Sequence, residues 1–370
     1  MSGSLKDFVL KNIREMEGYT PGEQINDPEI IKLNTNENPF PPSRKVKEAL
    51  SNEISRNRLQ LYPDPASYEL RKAIASRFGR SEKNVIIGNG SDDVLTILFR
   101  TFLNHEAGFI IPWPTYSLYP VLAGIQNVPC FKVPLKKEWK INFPGILEEL
   151  NRHSKNKMVI FANPNAPTGN FEEPNHVLSF VKSNPVLTLV DEAYISFGGK
   201  SLMPDAGTDD YPRLMACGTF SKSHSLAGQR IGYIVAHEDL IFEMDKARDS
   251  YNLSRLSQIS ALAALEDEEE YQKRFETIMQ TRKFLSSELR KRGFDFSESL
   301  ANFIFVSPPG LSRHEGNAAE KYYTFLKEKK ILIRYFSETS TQNHVRITIG
   351  KKEEIEKLLE ATDLFLKKFL

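Results

Sequence analysis

Short apolar runs recur along the chain, separated by segments of mixed polarity. Six have the length of strands: 85–87, 109–111, 158–161, 186–190, 214–216 and 231–235. Their residues are apolar at successive positions, so neither face of these strands is solvated. Segments of helical spacing lie between most of them, 92–103 and 174–182 among them. Buried strands alternating with helices predict a largely parallel sheet covered on both sides. Upstream, 46–54 and 66–78 read as helices, the second stopped by Gly79. The first 35 residues read as an arm, with a short amphipathic helix over 5–15 and an extended stretch, Gly18-Tyr19-Thr20-Pro21-Gly22. After residue 250 the texture changes. Helices are predicted over 257–265, 268–291, 319–329 and 352–369, and strands over 303–306, 331–333 and 345–349. The pattern therefore divides into an arm (1–35), a large domain (36–250) and a smaller α/β domain (251–370).

Composition narrows the class of function. Of 370 residues, 40% are hydrophobic and 26% charged, enough for a proper core and too apolar for a disordered chain. Forty-nine basic against 48 acidic residues give a net charge of +1, so no nucleic-acid partner is expected. Two cysteines, Cys130 and Cys217, exclude a disulfide framework and a cysteine zinc site, and the seven histidines show no ligand-like spacing. No metal is expected. No apolar run approaches ~18 residues, so no membrane span is expected. The N-terminus lacks a signal-peptide core, and a cytoplasmic protein is the expectation.

Ligands of an open α/β sheet sit beyond the carboxyl ends of its strands. Four segments lie there. Gly88-Asn89-Gly90-Ser91-Asp92-Asp93 opens a helix, with Ser91 as its expected N-cap. Free N–H groups there favour an anion, although a plain capped helix explains the segment equally well. Asn163-Pro164-Asn165-Ala166-Pro167-Thr168-Gly169 is a rigid turn carrying amides. Asp191-Glu192-Ala193-Tyr194 ends a buried strand, where a carboxylate needs a partner: a protonated ring nitrogen, an arginine or a helix N-terminus. Thr219–Arg230 holds Lys222 among small hydroxyl residues, eight positions before Arg230. A buried lysine becomes a nucleophilic amine, and hydroxyls beside an arginine suit phosphate. Together these segments supply what pyridoxal 5′-phosphate requires.

On these residues the chain resembles the fold-type I aminotransferases, and within them the histidinol-phosphate aminotransferase family. The Asp191-x-x-Tyr194 and Ser221-Lys222…Arg230 motifs carry the wider resemblance. Leu33-Asn34-Thr35-Asn36-Glu37-Asn38-Pro39, Leu61-Tyr62-Pro63-Asp64 and Val345–Gly350 carry the narrower one. It implies an α/β fold whose large domain has a mostly parallel seven-stranded sheet flanked by helices, with a smaller α/β C-terminal domain. It also implies a homodimer with shared active sites.

Carried over by position, Lys222 joins the cofactor aldehyde and later moves the proton between Cα and C4′. Asp191 holds the pyridinium nitrogen, and Tyr194 donates to the ring hydroxyl. Gly90, Ser91, Asp92, Ser221 and Arg230 lie at the phosphate, and Tyr116 stacks on the ring. Tyr62 reaches the neighbouring subunit's phosphate. Tyr19, Asn36, Arg334 and Arg346 face substrate. The family's second asparagine before Pro-Thr-Gly is replaced by Ala166, and Asn163 is the expected substitute. The implied reaction is a ping-pong transfer between histidinol phosphate and glutamate or 2-oxoglutarate. One anion site must take a phosphate ester and a carboxylate in turn, which a guanidinium fork can do. The alternatives are an aromatic amino-acid aminotransferase and an amino-acid phosphate decarboxylase. A nicotinamide enzyme is disfavoured by the missing third glycine after Gly90.

Overall fold

The structure is a computed structural model that describes residues 5–153, 158–310 and 316–369. Its strands are β1 (Ile31–Lys32), β2 (Val85–Gly88), β3 (Phe109–Trp113), β4 (Cys130–Pro134), β5 (Met158–Ala162), β6 (Leu187–Asp191), β7 (Leu214–Thr219), β8 (Gly232–Val235), β9 (Phe303–Val306), β10 (Ile331–Leu332), β11 (Arg334–Tyr335) and β12 (Val345–Thr348).

Seven strands form the main sheet in the order β2-β8-β7-β6-β5-β3-β4. Only β8 runs against its neighbours. Every residue of β5 and β7 is buried, which explains the unbroken apolar runs. The two-residue period decides which face each side chain serves. Val159 and Phe161 join the core on one side of the sheet, and Met158 and Ile160 join the core on the other. Full burial of each such side chain contributes about 1.5–3 kcal/mol, so the sheet is anchored from both faces.

This topology creates the site. The carboxyl ends of β3, β5, β6 and β7 meet at one edge, and β8 enters from the same edge at Gly232, paired with Gly88 and Thr219. Gly232 is required there: a Cβ would collide with the backbone of Gly90 and Ser91.

A second sheet, β11-β12-β9, is antiparallel. Helices Glu268–Lys291 and Ala318–Glu328 pack beside it, and Lys352–Phe369 packs on both helices. Tyr322 and Phe365 meet with ring centroids 5.0 Å apart, and the Tyr322 and Thr362 hydroxyls hydrogen-bond at 2.6 Å. The strand expected at 331–333 does not join this sheet. As β10 it pairs in parallel with β1, so the chain just before the site is tied to the C-terminal region.

Three local expectations need correction. The N-terminal helix is broken into a 3₁₀ turn, Leu5–Phe8, and a helix, Lys11–Glu15. The helix expected from 66 starts at Tyr68, because Ser67 has a left-handed backbone (φ 50°). Ser91 is not an N-cap: Gly90 (φ 93°) caps helix Ser91–Phe102 and Ser91 is its first residue. Among the described residues no helix is long and apolar enough to cross a membrane, and no His/Cys/Asp/Glu cluster could hold a metal.

Candidate active site

An open cavity of about 350 Å³ lies at the carboxyl edge of the main sheet. Its walls come from the ends of β3, β5, β6 and β7, from the arm around Tyr19 and from β11 and β12.

Asp191 is the last residue of β6 and is buried. Its carboxylate accepts from the Tyr119 hydroxyl at 2.8 Å and from the Ala193 N–H at 3.1 Å. Neither donor is charged, and burial pushes the carboxyl up to about 6. Of the partners expected from the sequence, neither an arginine nor a helix N-terminus is bonded to it.

Lys222 sits in a one-turn helix, Phe220–Ser223, capped by the Thr219 hydroxyl, which accepts from the Ser221 N–H at 3.1 Å. Asn38 ties down the same turn by donating to the carbonyls of Lys222 and Ser223. The Lys222 Nζ donates to the Thr35 carbonyl at 3.0 Å. Burial, with the positive charges of Arg346 and Arg230, pushes its pKa down to about 8, against the pull of Glu37. A sizeable fraction of the amine is therefore neutral near neutral pH and nucleophilic.

Ser91, Asp92, Ser221 and Arg230 come together on one wall. Arg230 pairs with Asp92 at 3.1 Å, and Asp92 also accepts from the Tyr116 hydroxyl at 3.2 Å. Gly90 does not line the cavity, but its lack of a side chain leaves room for the Arg230 guanidinium. With the free N–H groups that open helix Ser91–Phe102, this wall suits a phosphate. Tyr116 stands edge-on to Tyr119, with centroids 5.6 Å apart, and to Tyr19, 6.1 Å apart.

On another wall, Arg346 donates from Nη2 to the Asn34 carbonyl at 2.9 Å, between Phe303 and Phe336. Its Nε is buried without a partner. Arg334, opposite it in the register, holds the arm through the carbonyls of Thr20 and Pro21. Tyr194 and Asn36 also line the cavity, and the Asn36 amide donates to the Tyr194 hydroxyl at 3.0 Å.

Asn163 is not where it was expected. Its amide donates to the Glu172 carbonyl at 2.9 Å and accepts from the Glu172 N–H at 2.8 Å. Asn165 is likewise engaged, with Pro114, Thr168 and Thr115. Both hold the turn together and leave Ala166 at the cavity wall. Tyr62 is outside this cavity and 76% exposed, its ring stacked on Tyr251 at 4.4 Å. Sequence reasoning missed Tyr119, Thr219 and Asn38. Asn38 lay within a noted motif; Tyr119 could have been found as a phenol just after Pro114-Thr115-Tyr116.

The residues fit pyridoxal phosphate on structural grounds. A buried carboxylate lacks a cationic partner, an amine has a lowered pKa, a guanidinium stands beside a helix N-terminus, and a buried guanidinium N–H is unpaired.

Comparison with known proteins agrees. Residues 28–361 match the family described as aminotransferase class I and II. Histidinol-phosphate aminotransferase of Rippkaea orientalis is 38% identical, over 95% of this chain and 97% of that protein. Histidinol-phosphate aminotransferase 1 of Oceanobacillus iheyensis is 39% identical, over 98% and 99%. The solved structure of histidinol-phosphate aminotransferase from Sinorhizobium meliloti with pyridoxal-5′-phosphate has the same fold, with a TM-score of 0.82 at 23% identity, covering 91% of each chain. The chain belongs to the class I and II aminotransferases.

Proposed function

We propose that this aminotransferase moves the amino group of histidinol phosphate to 2-oxoglutarate, using pyridoxal 5′-phosphate, as a step of histidine biosynthesis in the cytoplasm. The observation that carries the substrate reading is Arg346, a half-buried guanidinium whose buried Nε is unpaired, in the same cavity as Lys222. Kinship over nearly the full chain with histidinol-phosphate aminotransferases supports the choice of substrate.

Pyridoxal phosphate, when bound, supplies an aldehyde carbon for the substrate amine and a ring that takes up the electron pair released at Cα. Asp191 would keep the ring nitrogen protonated, which its buried carboxylate favours because the pairing removes an uncompensated charge. Ser91, Ser221 and Arg230 would hold the phosphate. With its amine free, the Lys222 Nζ would take the proton from the substrate's Cα and return it to the former aldehyde carbon, across the nitrogen that joins the two. Arg346 pairs with the anion of whichever substrate is present. Each substrate leaves as product before the next enters, hence ping-pong kinetics.

Purified protein with the cofactor, histidinol phosphate and 2-oxoglutarate should form glutamate. Glutamate from aromatic amino acids but not from histidinol phosphate would replace this reading with aromatic transamination. Carbon dioxide release from an amino-acid phosphate would replace it with decarboxylation.

Arg346→Lys should damage both half-reactions although charge is retained. The lost fork contact is worth about 1.5–3 kcal/mol, or one to two decades of binding. Single-turnover kinetics with each substrate separately check this. Weakened glutamate binding with histidinol phosphate unaffected would refute a shared anion contact.

The same reading includes a homodimer in which Tyr62 completes the neighbour's site. Exposed Leu59, Leu61 and Tyr62 give that segment an apolar surface for a partner. Mixing Tyr62→Phe with Lys222→Ala subunits should yield heterodimers with one intact site and one doubly defective site. Equal impairment of both sites would contradict a crossing Tyr62.

A further inference from the structure

Ala166 leaves one flank of the site without the amide donor that the family pattern places there, so the Tyr194 hydroxyl on that flank carries more of the contact. The inference rests on the proposed cofactor. Pyridoxal phosphate carries its ring hydroxyl beside the aldehyde carbon, on the side away from the phosphate-bearing carbon. With the phosphate toward Arg230 and the ring nitrogen toward Asp191, the hydroxyl faces the flank remote from Arg230. There Ala166 packs with Ala301, Phe303 and Tyr194. Ala166 contributes only a methyl group, so Tyr194 is the polar side chain of that cluster.

The hydrogen of the Tyr194 hydroxyl is directed by Asn36. The Asn36 Nδ2 donates to that hydroxyl at 3.0 Å, and its Oδ1 accepts from the Thr348 hydroxyl at 3.1 Å. The Thr348 oxygen in turn accepts from the Asn36 N–H at 3.0 Å. Flipping the amide would give the buried Thr348 oxygen two donors and leave its own hydrogen without this acceptor, so the amide orientation is determined by the network. The Asn36 carbonyl is also held, accepting from Asn302 Nδ2 at 3.0 Å. Asn36 has a left-handed backbone (φ 55°), which asparagine tolerates better than most residues. Because the Tyr194 oxygen receives a hydrogen bond from Asn36, its own hydrogen is available to point into the cavity.

We propose that Asn36 is a positioning residue: the Thr348–Asn36–Tyr194 chain aims the Tyr194 hydroxyl at the cofactor's ring oxygen, as the donor that remains on a flank where Ala166 offers none. Asn36 therefore acts through Tyr194 rather than as a substrate ligand.

The test is the pH titration of the cofactor's visible absorption band in the holoenzyme, whose midpoint reports protonation of the nitrogen that joins cofactor and lysine. Each donor to the ring oxygen draws electron density from it and weakens its hold on the proton shared with that nitrogen. Loss of an aimed donor should raise the midpoint by about one unit. Asn36→Ala and Thr348→Val should both raise it, and so should Tyr194→Phe. Adding Ala166→Asn to Asn36→Ala should bring it back toward the unsubstituted value. The charged and titratable groups around Tyr194 and Lys222 (Arg346, Asp191, Tyr19, Glu37, Arg230, Asp92) stay unchanged in these variants. A purely structural role would not be reversed from position 166, which takes no part in the Thr348–Asn36–Tyr194 hydrogen bonds. Thr348→Val decides the matter if Asn36→Ala does not fold. A midpoint that moves with Tyr194→Phe but not with Asn36→Ala or Thr348→Val overturns the proposal. Absence of any lysine-linked visible band in the unsubstituted protein would overturn the proposed function itself, and this inference with it.

Discussion

Lys222→Ala is expected to abolish the adduct that borohydride traps between protein and cofactor, and to lower turnover by at least ~10⁴-fold. Two roles end together. The nucleophilic amine is lost, and so is the base that moves the proton from Cα. The size of the effect follows from the surroundings of this lysine. Its Nζ is inside the cavity, and its pKa is brought to about 8 by burial and by Arg346 and Arg230. A solvated lysine elsewhere would be almost fully protonated at neutral pH and could not replace it. Noncovalent cofactor binding should persist, because Asp191, Ser221 and Arg230 are unchanged. Peptide mapping of the reduced protein reads the result. A reducible adduct at another lysine, with turnover retained, would remove Lys222 from the mechanism.

Asp191→Asn should separate stability from activity. In the cofactor-free protein the carboxyl titrates at about 6, raised from 3.8 by burial. The folded state therefore holds this proton more tightly than the unfolded state. The group's contribution to stability falls as pH rises from below about 4 through about 6, and the full penalty remains above that. Asparagine carries no such penalty. The cofactor-free variant should unfold at a higher temperature than the native protein at pH 8, and the two should converge near pH 4. Turnover should move the other way. Removing one partner of a buried ion pair costs about 3–5 kcal/mol, which is two to four decades. Thermal scans across pH and steady-state rates check the two halves. Turnover within tenfold of native would mean that the ring nitrogen does not depend on this carboxylate.

The parts of the fold visible in the sequence are those whose pattern is local. Strand β9 and helices Glu268–Lys291 and Lys352–Phe369 lie at their expected bounds, because periodicity and terminal residues agree there. Strand β4 was not recognised. It is the sheet edge, with only Val133 buried, so it lacks the apolar run that marked the other strands. Pro120 and Gly124 similarly mask helix Leu118–Gln126, although proline is tolerated in its first turn. The pairing of β1 with β10 joins residues some three hundred positions apart and leaves no local trace.

The site divides along the same line. Lys222, Asp191 and Arg230, which line the cavity, were legible because each ends, follows or precedes a strand at the sheet edge where ligands bind. Asn163 was misassigned because position at a strand end does not tell which way an amide points; here it faces the Glu172 backbone. Asn36 was noticed for its motif, but its link to Tyr194 depends on Thr348, which arrives from the far end of the chain.

The most direct test is an absorbance scan of the cofactor-loaded protein before and after addition of histidinol phosphate, with 2-oxoglutarate added last. The account predicts a lysine-linked visible band that histidinol phosphate converts to the spectrum of the aminated cofactor and that 2-oxoglutarate restores. A visible band that glutamate converts but histidinol phosphate leaves unchanged would contradict it.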